Sequence, residues 1–217
     1  MIMQSFLSRF QVLKSNGFTL RYALDIGAYR GDFTQTIRTV WPESKVWQIE
    51  ADNRQAEFLD RGAIFATLGN LDGVEVDFYT LDSTKITTGS SIYKELTEHY
   101  TDSTTVVLKK TMTTVDQLAA KYRFDGNWRD HGLVKMDTQG SELLILEGAK
   151  GFLETRQPKY ILLECSVQPY NSGAPSFFGV VQALDKFNYD TADVFDLQYD
   201  GRGRLLQIDL LFERRKQ

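Results

Sequence analysis

The sequence predicts an α/β fold of the doubly wound kind: a mostly parallel sheet with helices on both faces, closed by a C-terminal antiparallel hairpin. Three observations carry this. Short apolar runs alternate with segments of helical periodicity; four of those runs end in an acid, at Asp25, Glu50, Asp137 and Glu164; and the C-terminal stretch reads as two strands around a turn.

The elements follow in order. MIMQSFLSRFQVLK places Ile2, Phe6, Phe10 and Leu13 at helical spacing, and Ser5, Ser8, Arg9 and Lys14 break the apolar core a secretion signal needs. Residues 1–20 are therefore expected to hold an amphipathic helix packed on the domain. YALDIGAYRGD is a strand running into a glycine turn, and Phe33, Ile37, Val40 and Trp41 then mark a helix that stops at Pro42. Val46 to Glu50 reads as a second strand, followed by a helix that Asp52 caps and Gly62 closes. Ala63 to Leu68 reads as one further strand, and VEVDFY, residues 74–79, alternates with the period of a half-exposed one.

Residues 81–104 are rich in Ser, Thr and Asp around one apolar segment, SIYKELTEHY, and read as a long loop or a lid over an acceptor site. Thr105 to Leu108 suggests a strand, and Thr114 caps a short helix carrying Val115, Leu118 and Tyr122. LVKMD is a strand ending at Asp137. Gly140 and Ser141 open a single helix with Ile145, Ala149, Phe152 and Leu153 on one face. YILLE ends at Glu164, a loop PYNSGAP follows, and Phe177, Val181 and Leu184 mark the last helix. VFDLQ and LLQIDLLF flank a turn at residues 200–203 and form the hairpin.

The chain has 217 residues, 42% hydrophobic and 25% charged, the composition of one ordinary globular domain, which excludes collagen-like and disordered classes. Lys+Arg is 25 against Asp+Glu 29, a net charge of −4, so nothing attracts a nucleic-acid backbone. YILLECSV is too short to cross a bilayer and contains Glu164, so no membrane span is expected. The single cysteine, Cys165, cannot form an internal disulfide, so nothing points to an oxidising compartment and a cytoplasmic location is expected.

In a doubly wound sheet, ligands bind beyond the carboxyl ends of the strands. The turn after the first strand, Asp25-Ile26-Gly27-Ala28-Tyr29-Arg30-Gly31, is D-x-G-x-x-x-G and lacks the middle glycine of a dinucleotide motif; no phosphate-binding G-x-x-x-x-G-K is present. The pattern suits S-adenosylmethionine. Gly27 and Gly31 admit close backbone approach, and Glu50, at the tip of the next strand, can accept both hydroxyls of a ribose.

The sequence resembles the FkbM-type S-adenosylmethionine-dependent methyltransferases. LDIGAYRGDF is similar to the family's first motif, LVKMDTQGSELLILEGAKGFL to its K-[IM]-D-x-x-G-x-E-x-x-x-L-x-G-A segment, and YILLE to the strand after it. TGSSIYKE, from Thr88 to Glu95, and LLQIDLLFER resemble a subgroup associated with bacterial glycan modification. The resemblance implies a class I methyltransferase (Rossmann-like) fold. It also implies cofactor contacts at Asp25, Gly27, Tyr29, Gly31 and Glu50, with Leu68 and Gly69 near the adenine. Thr138-Gln139 departs from the family, many of whose members carry a hydrophobic residue and an acid there.

The resemblance implies methyl transfer to a sugar hydroxyl of a glycan or small-molecule acceptor, and an alcohol acceptor must lose its proton. Asp137 is the first candidate for the base, ahead of Glu164, His99 and His131. Aromatic faces at Tyr93, Tyr100, Trp128, Tyr170 and Phe177 could stack on sugar rings. A divalent metal with Asp137 and Glu164 among its ligands is an alternative way to activate the acceptor, although two distant histidines give no zinc signature. Against this stand two other readings, a non-catalytic binding or scaffold protein and a methyltransferase acting on a non-sugar small molecule.

Overall fold

The apolar runs 22–26, 132–136 and 160–163 are buried on both faces and need partners on both sides, and a parallel sheet between helices supplies them. The structure, a computed structural model, describes residues 4–82, 89–124 and 129–216. Ile2, Trp128 and residues 83–88 of the expected lid lie outside these.

Helix α1 spans Gln4–Ser15, followed by β1 (Tyr22–Ile26), α2 (Asp32–Val40) and β2 (Lys45–Glu50). Next come β3 (Ile64–Phe65), β4 (Thr67–Leu68), β5 (Glu75–Leu81), β6 (Thr105–Thr113), α3 (Val115–Lys121) and β7 (Gly132–Met136). The chain continues through α4 (Glu142–Glu147), α5 (Lys150–Arg156), β8 (Tyr160–Ser166), α6 (Phe177–Lys186), β9 (Tyr189–Tyr199) and β10 (Leu205–Arg214).

Among the described residues the main sheet has the order β3-β2-β1-β7-β8-β10-β9, and β4-β6-β5 form a smaller one. The pairs from β3 through β8 are parallel, while β10 runs antiparallel to both β8 and β9. This is the class I methyltransferase arrangement, with the expected hairpin inserted so that β10 lies between β8 and β9. The chain leaves β1 toward β2 on one side and later pairs β7 on the other, so the topological switch point lies between β1 and β7.

Two apolar layers cover the sheet. On one face Leu24, Ile26, Met136, Ile161 and Leu163 pack with Ile145, Leu146 and Phe152 from α4 and α5. On the other, Phe6 and Phe10 of α1 meet Phe33, Ile37, Trp41 and Phe195. Phe195 sits with its ring centroid 5.0 Å from Phe10 and 5.4 Å from Phe6, contacts worth about 0.5–1.5 kcal/mol each beyond area burial. The amphipathic pattern of α1 therefore fastens it across α2 and β9.

Three expectations change. The stretch 63–68 is not one strand: β3 continues the main sheet beside β2, and β4 turns away to pair with β6. Asp52 does cap its helix, accepting from the Arg54 N–H, but the helix is a short 3-10 segment, Asn53–Phe58. The helix after Ser141 is broken into α4 and α5 at Gly148, where a Cβ would stand 2.0 Å from the Gly69 carbonyl oxygen. The close passage of the chain after β4 stops the helix, although the apolar stripe runs on into α5.

At the switch point, Gly27 has φ +73, and a Cβ there would lie 1.9 Å from the Asp137 carbonyl oxygen. Gly27→Ala combines left-handed strain of about 1–2 kcal/mol with displacement of backbone, for about 2–5 kcal/mol in all. Gly203 has φ +76 and nothing within 4 Å, so Gly203→Ala isolates the strain alone. Chemical denaturation should show Gly27→Ala losing clearly more stability than Gly203→Ala; equal losses would mean that the contact with Asp137 carries no weight.

Candidate active site

The loop after β1 is held open by backbone bonds. The Gly27 and Ala28 N–H groups donate to the Ile49 carbonyl at 3.0 and 3.2 Å, and Asp137 N–H donates to Ile26 O at 3.1 Å. Glu50, at the end of β2, accepts from Tyr29 N–H through Oε2 and from Asp52 N–H through Oε1, both at 2.8 Å. Burial pushes the Glu50 pKa up, and these two bonds and Lys135 oppose the rise without cancelling it. A carboxylate offers about four lone-pair directions. Two remain for hydroxyl donors. The cleft beside it has an apolar wall of Ile49, Ala66, Leu68, Phe78 and Ile145 and a polar side made by Thr67, Ser90 and Ser91.

The second half of the site comes from the end of β7. Lys135 is buried, and its ammonium donates to Gly27 O at 2.8 Å, pairs with Asp137 Oδ2 at 3.3 Å and stands 3.7 Å from Asp25 Oδ1. Burial disfavours its charge, but Asp137 and Asp25 outweigh that and hold its pKa above the ordinary lysine value. Gln139, itself left-handed at φ +57, donates its amide to Asp137 Oδ1 at 3.0 Å and to Glu164 Oε1 at 2.7 Å. Burial and the charges of Asp137 and Asp209 push Glu164 well above the usual carboxylate range. Glu142 Oε1 accepts from the Thr138 N–H and hydroxyl at 2.9 Å and from Gly140 N–H at 3.3 Å, so this acid fixes the turn that presents Asp137 and Gln139.

The structure brings Gly27, Tyr29, Glu50, Leu68 and Asp137 to one cleft. Glu164 lies in an adjoining cavity that shares Gly27, Tyr29 and Asp137 with it. Asp25 is fully buried beneath the loop, accepting from the Thr34 hydroxyl at 2.7 Å, and it lines neither cavity. Gly31 caps α2 and Gly69 packs on Met112, also outside the cleft lining. His99 is exposed and lines neither cavity. His131 precedes β7, with its ring bonded to Thr19 O at 2.8 Å, which places it at the opposite rim of the sheet.

Lys135, Glu142 and Asp209 were not singled out as site residues by sequence reasoning; the first two stand within the quoted K-x-D-x-x-G-x-E segment and could have been found there.

The described part of the 81–104 segment is docked against this site. Ser91 Oγ donates to the Thr138 and Gln139 carbonyls at 3.1 and 2.9 Å, Leu96 N–H donates to Tyr170 O at 2.8 Å, and Ser172 N–H donates to Lys94 O at 2.8 Å. Among the described residues no three acidic, histidine or cysteine side chains are grouped to hold a metal ion. Nor, among them, is any helix long and apolar enough to cross a membrane.

A switch-point cleft with an acid-tipped second strand, a close-packed glycine and an apolar wall defines the class of S-adenosylmethionine-dependent methyltransferases, and the residues present fit that cofactor. The chain belongs to the FkbM methyltransferase family: the family model described as "Methyltransferase FkbM domain" matches residues 25–191. Its fold is similar to that of the methyltransferase FkbM from Methylobacillus flagellatus KT, with a TM-score of 0.52 at 13% identity over 94% of this chain and 47% of that one. The chain thus spans about half the length of that protein. It is also similar to the O-methyltransferase from Bacillus cereus crystallised with S-adenosylhomocysteine, with a TM-score of 0.51 at 11% identity over 99% of this chain and 83% of that one. A search of curated proteins found no match.

Because both Glu50 oxygens already hold backbone N–H groups, Glu50→Gln puts an amide NH₂ against one of them. The variant should lose about 1–3 kcal/mol of stability, and its affinity for S-adenosylhomocysteine should fall with the ribose contact. Calorimetry reads the affinity and denaturation the stability; a variant with both unchanged would remove Glu50 from the site.

Proposed function

We propose that this protein transfers a methyl group from S-adenosylmethionine to an oxygen, a sugar hydroxyl of a glycan or small-molecule acceptor, with Asp137 receiving the hydroxyl proton. The observation that carries the reading is the position of Asp137. Of the three residues common to the two cavities, Gly27, Tyr29 and Asp137, it is the one that carries a carboxylate. The bound cofactor supplies an electrophilic methyl group on a sulfonium, a good leaving group. What the chain must add is alignment of the acceptor and a place for its proton.

Lys135 and Gln139 hold the Asp137 carboxylate from two sides, so its orientation is set before any acceptor arrives. Glycan modification is supported by the resemblance of residues 88–95 and 205–214 to a glycan-associated subgroup, and Tyr29 and Phe6 offer aromatic faces in the second cavity. The docked segment 89–104 serves in this reading as the cover of the site, since Ser91 and Ile92 line the donor cleft.

Asp137→Asn keeps the shape and the Gln139 neighbourhood but removes the acceptor of the proton. Turnover should drop about 10²–10⁴-fold while S-adenosylhomocysteine affinity changes little, because Lys135 retains Gly27 O and Asp25. A variant turning over at the normal rate would move the base to Glu164. A chelator should leave the parent activity intact; loss restored by a divalent cation would make Asp137 a metal ligand instead. In hydrogen exchange, the amides of residues 89–104 should slow when S-adenosylhomocysteine is added, and no change there would remove the cover from the mechanism.

A further inference from the structure

In the register of the hairpin, Asp209 of β10 lies directly opposite Glu164 of β8 on one side and Asp196 of β9 on the other. Directly opposed side chains share a face and are cross-strand neighbours, and like charges so placed weaken a sheet. Three carboxylates in one row across three strands therefore have no stabilising explanation. Their partners differ. Glu164 receives three amides, from Gln139 and Gln207 at 2.7 Å and from Gln198 at 3.2 Å. Asp196 accepts from Leu197 N–H at 2.9 Å and from Ser5 Oγ at 3.4 Å. Asp209 accepts no hydrogen bond and makes no ion pair among the described residues.

The pairing of β10 with β9 is irregular at this point. Asp209 faces Asp196 but Leu210 faces Val194, so Phe195 is the extra residue of a bulge. Bulges re-aim side chains beside functional sites. Here Phe195 enters the cluster under α1 while Asp196 turns into the cavity that Asp209 and Phe6 also line. That cavity meets the donor cleft at Asp137.

We propose that this cavity is the acceptor subsite and that Asp209 recognises the acceptor, taking hydrogen bonds from its hydroxyl or ammonium groups; the proposal rests on the reading of the donor cleft given above. The lining decides the ligand class. Carboxylates only accept, so the ligand must donate. Asp32, Asp137, Glu164, Asp196 and Asp209 outnumber Arg30 and Lys135, and Lys135 is already committed to Asp25, Asp137 and Gly27 O. An anionic acceptor is repelled. A neutral polyol fits, and an aminated one fits better.

The charged groups facing Asp209 are Lys135 and Asp137 from β7, Glu164 from β8, Asp196 from β9, and Arg30 and Asp32 from the loop and start of α2. Burial, then Asp137, and more weakly Asp196, push Asp209 up to about 7 against the pull of Lys135. An acid whose pKa is raised on folding costs stability as the pH rises from its ordinary value through the raised one. Its ionised form is thus held at the expense of the fold.

The test uses the full chain loaded with S-adenosylhomocysteine, whose affinity is read by calorimetry, and three probes read by saturation-transfer NMR at pH 8: glucosamine, methyl α-glucoside and glucuronate. Glucosamine should bind ahead of methyl α-glucoside, and glucuronate should give no signal. Asp209→Asn should weaken both bound probes at least tenfold with S-adenosylhomocysteine affinity within twofold of the parent. It should also melt higher than the parent at pH 8, the difference closing by pH 4. Unchanged probe binding in D209N, glucuronate binding as well as glucosamine, no binding of any probe, or a D209N protein that melts lower at pH 8 would each overturn the proposal. Failure of the parent to bind S-adenosylhomocysteine is a separate result, and it would overturn the donor-cleft reading itself.

Discussion

A buried ammonium with two carboxylates and a carbonyl around it is the constraint on which this site depends. Lys135 lies at the switch point where β1 and β7 pair, directly opposite Asp25 in the register. A buried charge left without partners costs several kcal/mol, so the strand ends must meet in the one arrangement that gives Lys135 Asp25, Asp137 and Gly27 O together. Asp25 is bound to that arrangement in turn. Its burial raises its pKa, and only Lys135 and the Thr34 hydroxyl resist this. The first acid of the motif therefore acts from below, through the loop it anchors.

From that anchor the rest of the cleft follows by contact. Gly27, drawn to Lys135 by its carbonyl, lies so close to Asp137 that no side chain fits between them. The loop then continues to Tyr29, whose N–H is fixed by Glu50, so β1 and β2 are tied by the same acid that faces the cleft. On the other side Glu142 gathers the N–H groups of Thr138 and Gly140 and sets the turn that carries Gln139. Glu50, Asp137 and Glu164 thus each have a structural bond as well as a cavity-facing edge, which is how a site on loop ends acquires the rigidity of the sheet beneath it.

Much of this was legible in the sequence because it is written in local signals. Apolar runs ending in Asp25, Glu50, Asp137 and Glu164 gave the strands and their rim, and Thr114 and Asp52 announced their caps. What escaped depends on contacts between distant segments. The apolar stripe from Ile145 to Leu153 continues through Gly148, so the break there follows only from the passage of Gly69 against it. Nothing in AIFATL marks the point where the chain changes sheets. Lys135 reads as one polar residue in a strand until its neighbours are known. Asp209, in LLQIDLLF, reads as an outward-facing polar residue of an alternating strand, and its meaning appears only when Glu164 and Asp196 are found beside it. The histidines misled for the opposite reason: their chemistry is local, but their position at the rim or away from it is set by topology.

The sheet divides its work accordingly. Its parallel half is tied together by backbone and a few satisfied acids, and the charge on Lys135 stabilises the folded state there. Its antiparallel end does the reverse, setting Glu164, Asp209 and Asp196 side by side where Coulomb repulsion opposes folding. Three glutamine amides and the Asp196 partners relieve two of these groups, and Asp209 is left without such relief. Fixing that repulsion requires the rest of the hairpin to be well packed, and it is: Phe195, Leu211 and Phe212 are buried around the row, with Phe6 and Phe10 clamped across Phe195. The aromatic cluster under α1 is thus the counterweight that lets an acidic pocket stand open beside the switch-point cleft.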